Sequence, residues 1–185
     1  VEPEAAIRLA VERGRLLRTL EEEGWRCVLF TTEERASELV GGIRAVDIVA
    51  VPVPDRVVVG GESFAVVAVA ARAEKAGIKV ARIAGGAGHS PVVDPILPEF
   101  AVSAASVLYA PTDVAVVSAA TGRRLESAGP DHWVATLRAP IRLAAAVHAT
   151  HAVGCDLFVE LSPRPTIVHA GEDALAKVPE ARWYP

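Results

Sequence analysis

The stretch VDIVAVPVPDRVVVGGES, residues 46–63, decides the fold of this chain. It contains two apolar runs rich in β-branched residues, at 46–51 and 56–59, with Pro52 and Pro54 between them and a pair of glycines after the second. Runs of this composition, bounded by proline and glycine, are typical of strands. The stretch therefore predicts two consecutive strands.

A helix and a strand flank this pair of strands on each side. Upstream, residues 26–31 predict a strand and residues 32–40 a helix. Downstream, Ser63 is predicted to cap a helix over 63–77, and residues 78–83 predict a further strand. The resulting order is βαββαβ. This order predicts a ferredoxin-like subdomain, a four-stranded antiparallel sheet with both helices on one face.

Helices and strands also alternate outside this subdomain, as they do in an α/β sheet. The predicted elements are a helix at 3–23, a helix at 90–106 capped by Ser90, a strand at 114–118, a helix at 141–153 and a strand at 155–161. We therefore predict four parts: a helix of an α/β core at 1–24, the ferredoxin-like subdomain at 25–84, the C-terminal part of the core at 85–170, and a tail or linker at 171–185.

Composition limits the classes of function. With 185 residues, 51% of them hydrophobic, the chain fits one compact domain that buries its own core. The net charge of −4 and the absence of a polybasic block argue against nucleic acid as a partner. No apolar run reaches the ~18 residues that span a bilayer, so a soluble protein without a membrane partner is expected. Cys27 and Cys155 form no CxxC motif, which favours a reducing cytoplasm.

His89 lies in the glycine-rich loop GGAGHSP, residues 85–91, directly before a predicted helix N-terminus. The glycines leave space for a substrate to approach, and the positive end of the helix disfavours the imidazolium. These features suit a general base. The residues alone leave a solvent-exposed loop histidine as the alternative.

Arg13 lies in the first predicted helix beside Gly14, and glycine inside a helix costs ~1 kcal/mol relative to alanine. An arginine whose neighbour has no side chain can turn its planar guanidinium toward a carboxylate in a cleft. A solvated helix arginine is the alternative.

Two further groups of residues invite a chemical interpretation. Ser63 lies in GESFA, which lacks the last glycine of a GxSxG nucleophile elbow. Together with His89, Ser63 would make the chain a small serine hydrolase. A role as a helix cap explains this serine more simply. His148 and His151 are three apart on one predicted helix and could face a metal together. They lack a carboxylate at compatible spacing, so surface histidines and no metal site are predicted.

Five motifs carry a resemblance that covers nearly the whole chain. They are RGRLL (13–17), HSP (89–91), VVSAATG (116–122), HWVATLRAPIR (132–142) and FVELSP (158–163). In this order they resemble the RGRLM, HSP, VVSxxTG, YWVxxLRxPVRF and FLEVGP motifs of malonyl-CoA:acyl carrier protein transacylases and of the acyltransferase domains of modular polyketide synthases. Five matches in order, at sensible spacing, are far more specific than any single one.

The resemblance implies a partial α/β-hydrolase-like acyltransferase core with an inserted ferredoxin-like subdomain. It also implies a two-step acyl transfer without a bound cofactor, in which a GHSxG serine attacks the thioester of an acyl-CoA donor. The acyl group then passes to the phosphopantetheine thiol of an acyl carrier protein. By the resemblance, His89 matches the histidine that acts as base and then acid, and Arg13 matches the arginine that holds the malonyl carboxylate. The implied partners are the acyl carrier protein and neighbouring polyketide synthase domains.

The chain departs from the family pattern at several places, among them residues 52–54, which read Pro-Val-Pro where the family often has Asn-Gly-Pro. It contains no GHSxG motif and no methionine, and it starts at Val1. We therefore expect the catalytic serine in a missing N-terminal part of the same domain. The alternative is a non-catalytic remnant or a carrier-protein docking module. Thr136 stands where the family usually carries Gln or His. Gly86, Ala87 and Gly88 stand where many polyketide acyltransferases read HAF or YAS, and the absence of large side chains predicts room for an α-substituted extender unit.

Overall fold

The structure is a computed structural model that describes residues 1–20, 24–83, 86, 88–111, 113–162, 165 and 167–185. Its elements are α1 (Pro3–Arg18), β1 (Gly24–Leu29), α2 (Glu33–Val40), β2 (Val46–Val53), β3 (Arg56–Glu62), α3 (Ser63–Lys75), β4 (Val80–Ile83), a 3₁₀ helix (Pro91–Ile96), α4 (Leu97–Ala105), β5 (Val117–Ser118), β6 (Arg123–Arg124), α5 (Pro130–Arg138), α6 (Leu143–Ala152), β7 (Leu157–Val159), α7 (Val168–Ala174) and β8 (Arg182–Tyr184). The mixed α/β class predicted from the sequence is confirmed.

Strands β1 to β4 form one sheet in the order β2-β3-β1-β4, and every neighbouring pair is antiparallel. Together with the chain order βαββαβ, this is the ferredoxin-like arrangement that the sequence predicts.

Helices α2 and α3 cover one face of this sheet. Side chains alternate between the two faces of a strand, so Cys27 and Leu29 point toward the helices while Arg26 points to the opposite face. The helix-covered face holds the first hydrophobic core: Cys27, Leu29, Ala36, Leu39, Val46, Val57, Val59, Ala65, Val66, Val69, Ala70 and Ala73. The N-terminus of α2 is capped by Thr32, whose Oγ1 accepts a hydrogen bond from the Arg35 N–H at 3.4 Å.

A second hydrophobic core joins α1, the 3₁₀ helix, α4 and α5. Its buried members are Leu9, Leu16, Leu20, Val92, Val93, Ile96, Phe100, Ala104 and Leu137. Arg13 follows Leu9 by four residues and precedes Leu16 by three, so it lies on the buried face of α1. This core therefore holds the helix of Arg13, the segment that follows His89 and the end of α5 against one another.

The ferredoxin-like subdomain is attached to the C-terminal part of the chain by main-chain and side-chain contacts. The Val51 N–H donates to the Ile141 carbonyl at 2.8 Å, and the Ile141 N–H donates to the Val49 carbonyl at 2.9 Å. Arg142 donates two hydrogen bonds to the Glu33 carboxylate, at 2.9 and 3.1 Å. These contacts fix the position of the sheet relative to the loop before α6.

The structure differs from the prediction at the end of β3. Ser63 is the first residue of α3, and Glu62, at the N-cap position, makes no side-chain cap hydrogen bond; the predicted serine cap is wrong. The strand continues through the glycine pair because Gly61 pairs with Trp25 on one side and Val46 on the other. A Cβ at Gly61 would overlap the Ala45 carbonyl, so glycine is required for this close approach.

The single helix predicted at 90–106 is two elements. Ser90 caps the first one as predicted, with its Oγ accepting from the Val92 N–H at 3.3 Å. Pro95 lies inside that first element, where proline lacks an N–H and obstructs an α-helix. The segment stays 3₁₀ until Ile96, and the α-helix begins at Leu97.

The ends of several other elements also differ from the prediction. Helix α1 ends at Arg18 rather than 23, and residues 21–23 lie outside the described residues. The strands predicted at 114–118 and 155–161 shrink to Val117–Ser118 and Leu157–Val159, because their partners β6 and β8 offer only two and three residues to pair with. Trp133 lies in α5, a helix that is absent from the predicted elements.

Residues 171–185, which the sequence predicts as a tail or linker, contain regular secondary structure. They include the end of α7 and strand β8, which pairs in parallel with β7. The Trp183 ring stacks on Phe158 with centroids 4.2 Å apart and planes 10° from parallel, and this contact orders the C-terminus. The division into 1–24, 25–84, 85–170 and 171–185 stays a prediction. Among the described residues, no helix is both long and apolar enough to cross a membrane.

Candidate active site

His89 is held by two hydrogen bonds to the chain that leaves α5. Its N–H donates to the Leu137 carbonyl at 2.8 Å, and its Nδ1 lies 2.8 Å from the Ala139 carbonyl oxygen. A carbonyl can only accept, so Nδ1 carries the proton and Nε2 keeps its lone pair. The backbone of His89 is left-handed, with φ +68°, which is uncommon for a residue other than glycine. The imidazole is thus fixed in the tautomer that a base requires.

The Ala139 carbonyl is available because a proline follows it. Helix α5 ends at Arg138, and Ala139, with φ −66° and ψ 144°, has the extended conformation favoured before Pro140. Its carbonyl oxygen therefore leaves the helix and accepts from His89. The sequence analysis missed this group, and the signal that marks it is the Ala-Pro step after a helix.

The surroundings of His89 lower its pKa below the ordinary value. Burial is the largest cause, since it disfavours the charged imidazolium. The hydrogen bond to Ala139 opposes this shift, whereas the positive charges of Arg13 and Arg26 add to it. The imidazole is consequently neutral at neutral pH, and both guanidinium groups are near enough to act on it.

Arg13 lies half-buried on α1 and makes no hydrogen bond or ion pair with any residue of the described ranges. Burial lowers its pKa. Arg15, two residues on, differs: it is exposed, donates to the Glu12 carboxylate at 2.8 Å, and also pairs with Glu99. Of the two arginines of the RGRLL motif, only Arg13 keeps its hydrogen-bond donors available on the side of His89.

Arg26 is a second cation at this site, and the sequence analysis missed it. It projects from β1 on the face away from α2 and α3, and its guanidinium donates a long hydrogen bond to the Gly88 carbonyl at 3.3 Å. Its Nε is buried and has no hydrogen-bond partner among the described residues. Burial lowers the pKa of this guanidinium as well.

Three glycines make room for the Arg26 side chain. A Cβ at Gly60, its cross-strand partner, would lie 3.3 Å from Arg26 Cγ, and a Cβ at Gly86 would lie 2.8 Å from Arg26 Cζ. A Cβ at Gly88 would lie 3.4 Å from the guanidinium. Arg26 therefore lies against Gly86 and Gly88, where the sequence predicts room for an α-substituent, and that room stays a prediction. Ala87 lies outside the described residues.

The other chemical interpretations receive no support from the geometry. Ser63 is exposed and forms no hydrogen bond with His89, so no serine–histidine pair is present. The Thr136 hydroxyl donates to the Trp133 carbonyl of its own helix at 2.7 Å. Within the described ranges, no three His, Cys, Asp or Glu side chains come together as a metal site would require.

The family model that matches this chain describes an acyl transferase domain, and its curated relatives include polyketide synthases. The acyl transferase domain family matches residues 1–184. The polyketide synthase GfsA of Streptomyces halstedii is 35% identical over 175 residues, covering 92% of this chain and 2% of GfsA. Mycoketide-CoA synthase of Mycobacterium tuberculosis is 33% identical over 181 residues, covering 95% of this chain and 4% of the synthase. The chain thus spans a small fraction of its curated relatives.

Solved structures show the same fold. The acyltransferase domain from the second module of the salinomycin polyketide synthase superposes with a TM-score of 0.89 at 32% identity, covering 97% of this chain and 43% of that one. Malonyl CoA-acyl carrier protein transacylase from Clostridium perfringens superposes with a TM-score of 0.88 at 15% identity, covering 99% of this chain and 60% of that one, and this likeness speaks for the fold alone. With the family match over residues 1–184, these findings establish that the chain belongs to the acyl transferase domain family of polyketide synthases.

Proposed function

We propose that this chain is part of an acyltransferase that moves a malonyl-type, α-substituted extender unit from CoA to the phosphopantetheine thiol of an acyl carrier protein. The acyl group travels as an ester on a serine supplied by a segment outside these 185 residues. The observation that carries the proposal is an oriented, neutral His89 near the guanidinium of Arg13, which has no partner among the described residues. The acyl carrier protein and the neighbouring synthase domains are the partners.

His89 acts as general base in each half of the reaction. Its Nε2 takes the proton of the serine hydroxyl as the oxygen attacks the thioester carbonyl, and the imidazolium returns that proton to the departing CoA thiolate. In the second half Nε2 takes the proton of the pantetheine thiol as its sulfur attacks the ester. The serine oxygen leaves with that proton, and the free enzyme is restored.

Arg13 selects for an acyl group that carries a free carboxylate. A guanidinium holds a carboxylate through two parallel hydrogen bonds, which add geometric specificity to charge. Leaving such a buried donor unpaired costs its desolvation free energy, so a simple acyl chain binds less well than a malonyl unit. A carboxylate on the substrate would give the half-buried Arg13 the partner that it lacks in the described part of the chain.

Two alternatives make different predictions for the same assay. A non-catalytic docking module is one, and a relative with 34% identity, the Pks1 polyketide synthase of Mycobacterium tuberculosis, has a name that includes the word inactive. A small hydrolase that uses Ser63 is the other. An oriented imidazole beside an unpaired guanidinium favours the acyltransferase, because a docking surface requires neither.

Covalent labelling with radioactive malonyl-CoA tests the proposal. The 185-residue chain alone should take up no label, whereas labelled Ser63 would support the hydrolase. Joined to a GHSxG-bearing segment, the chain should be labelled on that serine. Arg13→Ala should then reduce malonyl labelling about ten- to hundredfold, and His89→Asn should slow it by at least about a hundredfold.

Arg15→Gln is the matched control for Arg13. It removes a guanidinium from the same motif, but one that is exposed and paired with Glu12, so labelling should not change. If the joined protein is labelled equally as wild type and as the Arg13→Ala variant, Arg13 is not the carboxylate clamp and the proposal fails. If no labelling appears although the GHSxG serine is accessible to a serine-directed reagent, the docking module is the better account.

A further inference from the structure

Arg26 is a charged group at the active site that the proposed acyl transfer leaves unused. Its Nε is buried without a partner, and its single hydrogen bond within the described ranges is the 3.3 Å contact with the Gly88 carbonyl. A buried cation without an anion or a full set of hydrogen bonds is costly. Among the described residues, the guanidinium therefore has donors that no protein acceptor uses.

The sequence around Arg26 accommodates this side chain at three separate places. A Cβ at Gly60 on the neighbouring strand or at Gly86 in the loop before His89 would crowd it, and a Cβ at Gly88 would touch it at 3.4 Å. Gly86 also has a left-handed backbone, φ +97°, that brings the loop against the guanidinium. The position of Arg26 is thus set by strand register and loop conformation together, as in a preformed binding site.

The charges at the site do not match a simple malonyl unit. Arg13 and Arg26 both act on His89, and neither is paired with a carboxylate of the described chain. A malonyl thioester brings one carboxylate to these two cations. One half-buried positive charge would find no counter-charge on that substrate.

The α-carbon of a malonyl unit shows where the second anion belongs. That carbon bears the thioester carbonyl, which His89 serves, and the carboxylate, which Arg13 binds. The α-substituent is the remaining group on this carbon, and Arg26 is the remaining polar side chain beside His89 among those named at the site. An alkyl substituent there would leave the guanidinium without an acceptor.

We infer that Arg26 is a specificity-determining residue and that the extender unit carries a second carboxylate in its α-substituent, bound by Arg26. The inference rests on the proposed function, because it takes the positions of the carbonyl and of the first carboxylate from it. It replaces the idea of an open pocket beside Gly86 and Gly88 with a site selective for charge.

Binding of three pantetheine thioesters to the 185-residue chain tests the inference. They are derived from malonate, from propylmalonate and from carboxymethylmalonate, so the last two differ in charge at similar size. By calorimetry, the carboxymethyl compound should bind about ten- to hundredfold more tightly than the propyl compound. Arg26→Gln should abolish this preference, because the neutral amide cannot bind the second carboxylate as an ion pair.

Matched variants separate binding from folding. Arg82→Gln removes an exposed arginine from β4 of the same sheet and should preserve the preference. Arg26→Lys keeps the charge without the planar fork and should retain part of the preference. The preference is a ratio measured on one protein, so a loss of stability that lowers all affinities together would not imitate the expected result.

Two results would overturn the inference. One is equal affinity of the wild-type chain for the propyl and carboxymethyl compounds, and the other is a preference that survives in Arg26→Gln. The proposed function fails separately if Arg13→Ala weakens none of the three compounds. A clear Arg13 effect without an Arg26 effect would reject the second carboxylate and keep the acyltransferase.

Discussion

The Nδ1 atom of His89 lies 2.8 Å from the carbonyl oxygen of Ala139, 50 residues further along the chain. An acyl-transfer histidine in a serine–histidine–aspartate triad is oriented by a carboxylate, which also stabilises the imidazolium. Here a neutral carbonyl fixes the tautomer, and two nearby arginines disfavour the charged form. The ring is thereby kept neutral, and Nε2 is ready to accept a proton.

The pH dependence of stability should carry the signature of this histidine. The pKa of His89 in the folded chain lies below the ordinary value of 6.5, so below that pH the unfolded chain binds a proton that the folded chain refuses. The free energy of unfolding should therefore fall as the pH drops from about 6.5. His89→Asn, which tolerates the left-handed backbone, should remove this part of the slope. Urea titrations from about pH 8 to about pH 5 measure it.

The same experiment contains its own control. At about pH 8 the imidazole is neutral in the folded and unfolded chains, so wild type and His89→Asn differ there only by packing and hydrogen bonding. The difference between them should then move in favour of His89→Asn as the pH falls. A difference that is constant over this range would show that the pKa of His89 is not lowered by folding.

Two glycine-to-alanine substitutions should have opposite signs. Gly86 has φ +97°, and a Cβ there would meet Arg26 Cζ at 2.8 Å, so Gly86→Ala should destabilise the chain by about 1–2 kcal/mol from the backbone strain alone. Gly14 lies within α1, where a Cβ would meet nothing within 4 Å. Gly14→Ala should stabilise the chain by about 1 kcal/mol.

Thermal unfolding followed by circular dichroism separates these two variants. The double variant Gly86→Ala with Arg26→Ala should recover the part of the loss that comes from the clash and retain the part that comes from the backbone. If Gly86→Ala were as stable as wild type, neither the left-handed backbone nor the packing of Arg26 against it would describe the folded chain.

The ferredoxin-like order could be predicted because its signals are local. Apolar runs with proline and glycine between them mark the strands, and the intervening apolar periodicity marks the helices. The end of β3 could not be predicted from local signals, because Gly61 stays in the strand through pairing with Trp25 on one side and Val46 on the other. The order at the C-terminus likewise depends on a distant contact, between Trp183 and Phe158.

In the candidate site, too, some residues are marked by local sequence signals and others only by contacts in the folded chain. His89 and Arg13 could be found through motifs, and the apolar stripe of α1 places Arg13 on its buried face. Arg26 carries no motif. Its position depends on the strand pairing with Gly60 and on the packing of the loop at Gly86, which is set by the folded chain. Glycines that suggested an open pocket in the sequence serve to accommodate an arginine.

Leu137 should be essential to the second core. Its side chain is fully buried at the end of α5, and its carbonyl accepts the hydrogen bond from the His89 N–H. Leu137→Ala should cost about 2–5 kcal/mol, because it leaves a cavity among α1, α4 and the 3₁₀ helix. Leu161→Ala makes the same change at a side chain that is 95% exposed and should alter stability by less than about 0.5 kcal/mol. Chemical denaturation of both variants tests the contrast, and equal effects would contradict the packing.

The ion pair between Arg142 and Glu33 should stabilise the attachment of the subdomain modestly. Its geometry is bidentate, at 2.9 and 3.1 Å, but both side chains are more than a third exposed, so solvent screens the interaction. A double-mutant cycle with Arg142→Gln and Glu33→Gln should give a coupling free energy of about 0.5–1 kcal/mol that decreases with added salt. A coupling near zero at low salt would show that the main-chain bonds at Val51 and Ile141 hold the subdomain without help from this pair.

The charge of Arg26 should be measurable through the ionisation of His89. Arg26→Gln removes a positive charge that disfavours the imidazolium, so the pKa of His89 should rise toward its ordinary value. Arg13→Gln should act in the same direction for the same reason, and the double variant should raise the pKa further. Arg82→Gln makes an equal change in net charge on β4, and Arg82 is not among the charges that shift the pKa of His89.

Titration of the His89 ring protons by NMR follows each variant directly. If Arg26→Gln and Arg82→Gln moved the pKa by the same small amount, the guanidinium of Arg26 would not lie at the active site, and its proposed role in binding a second carboxylate would lose its geometric basis.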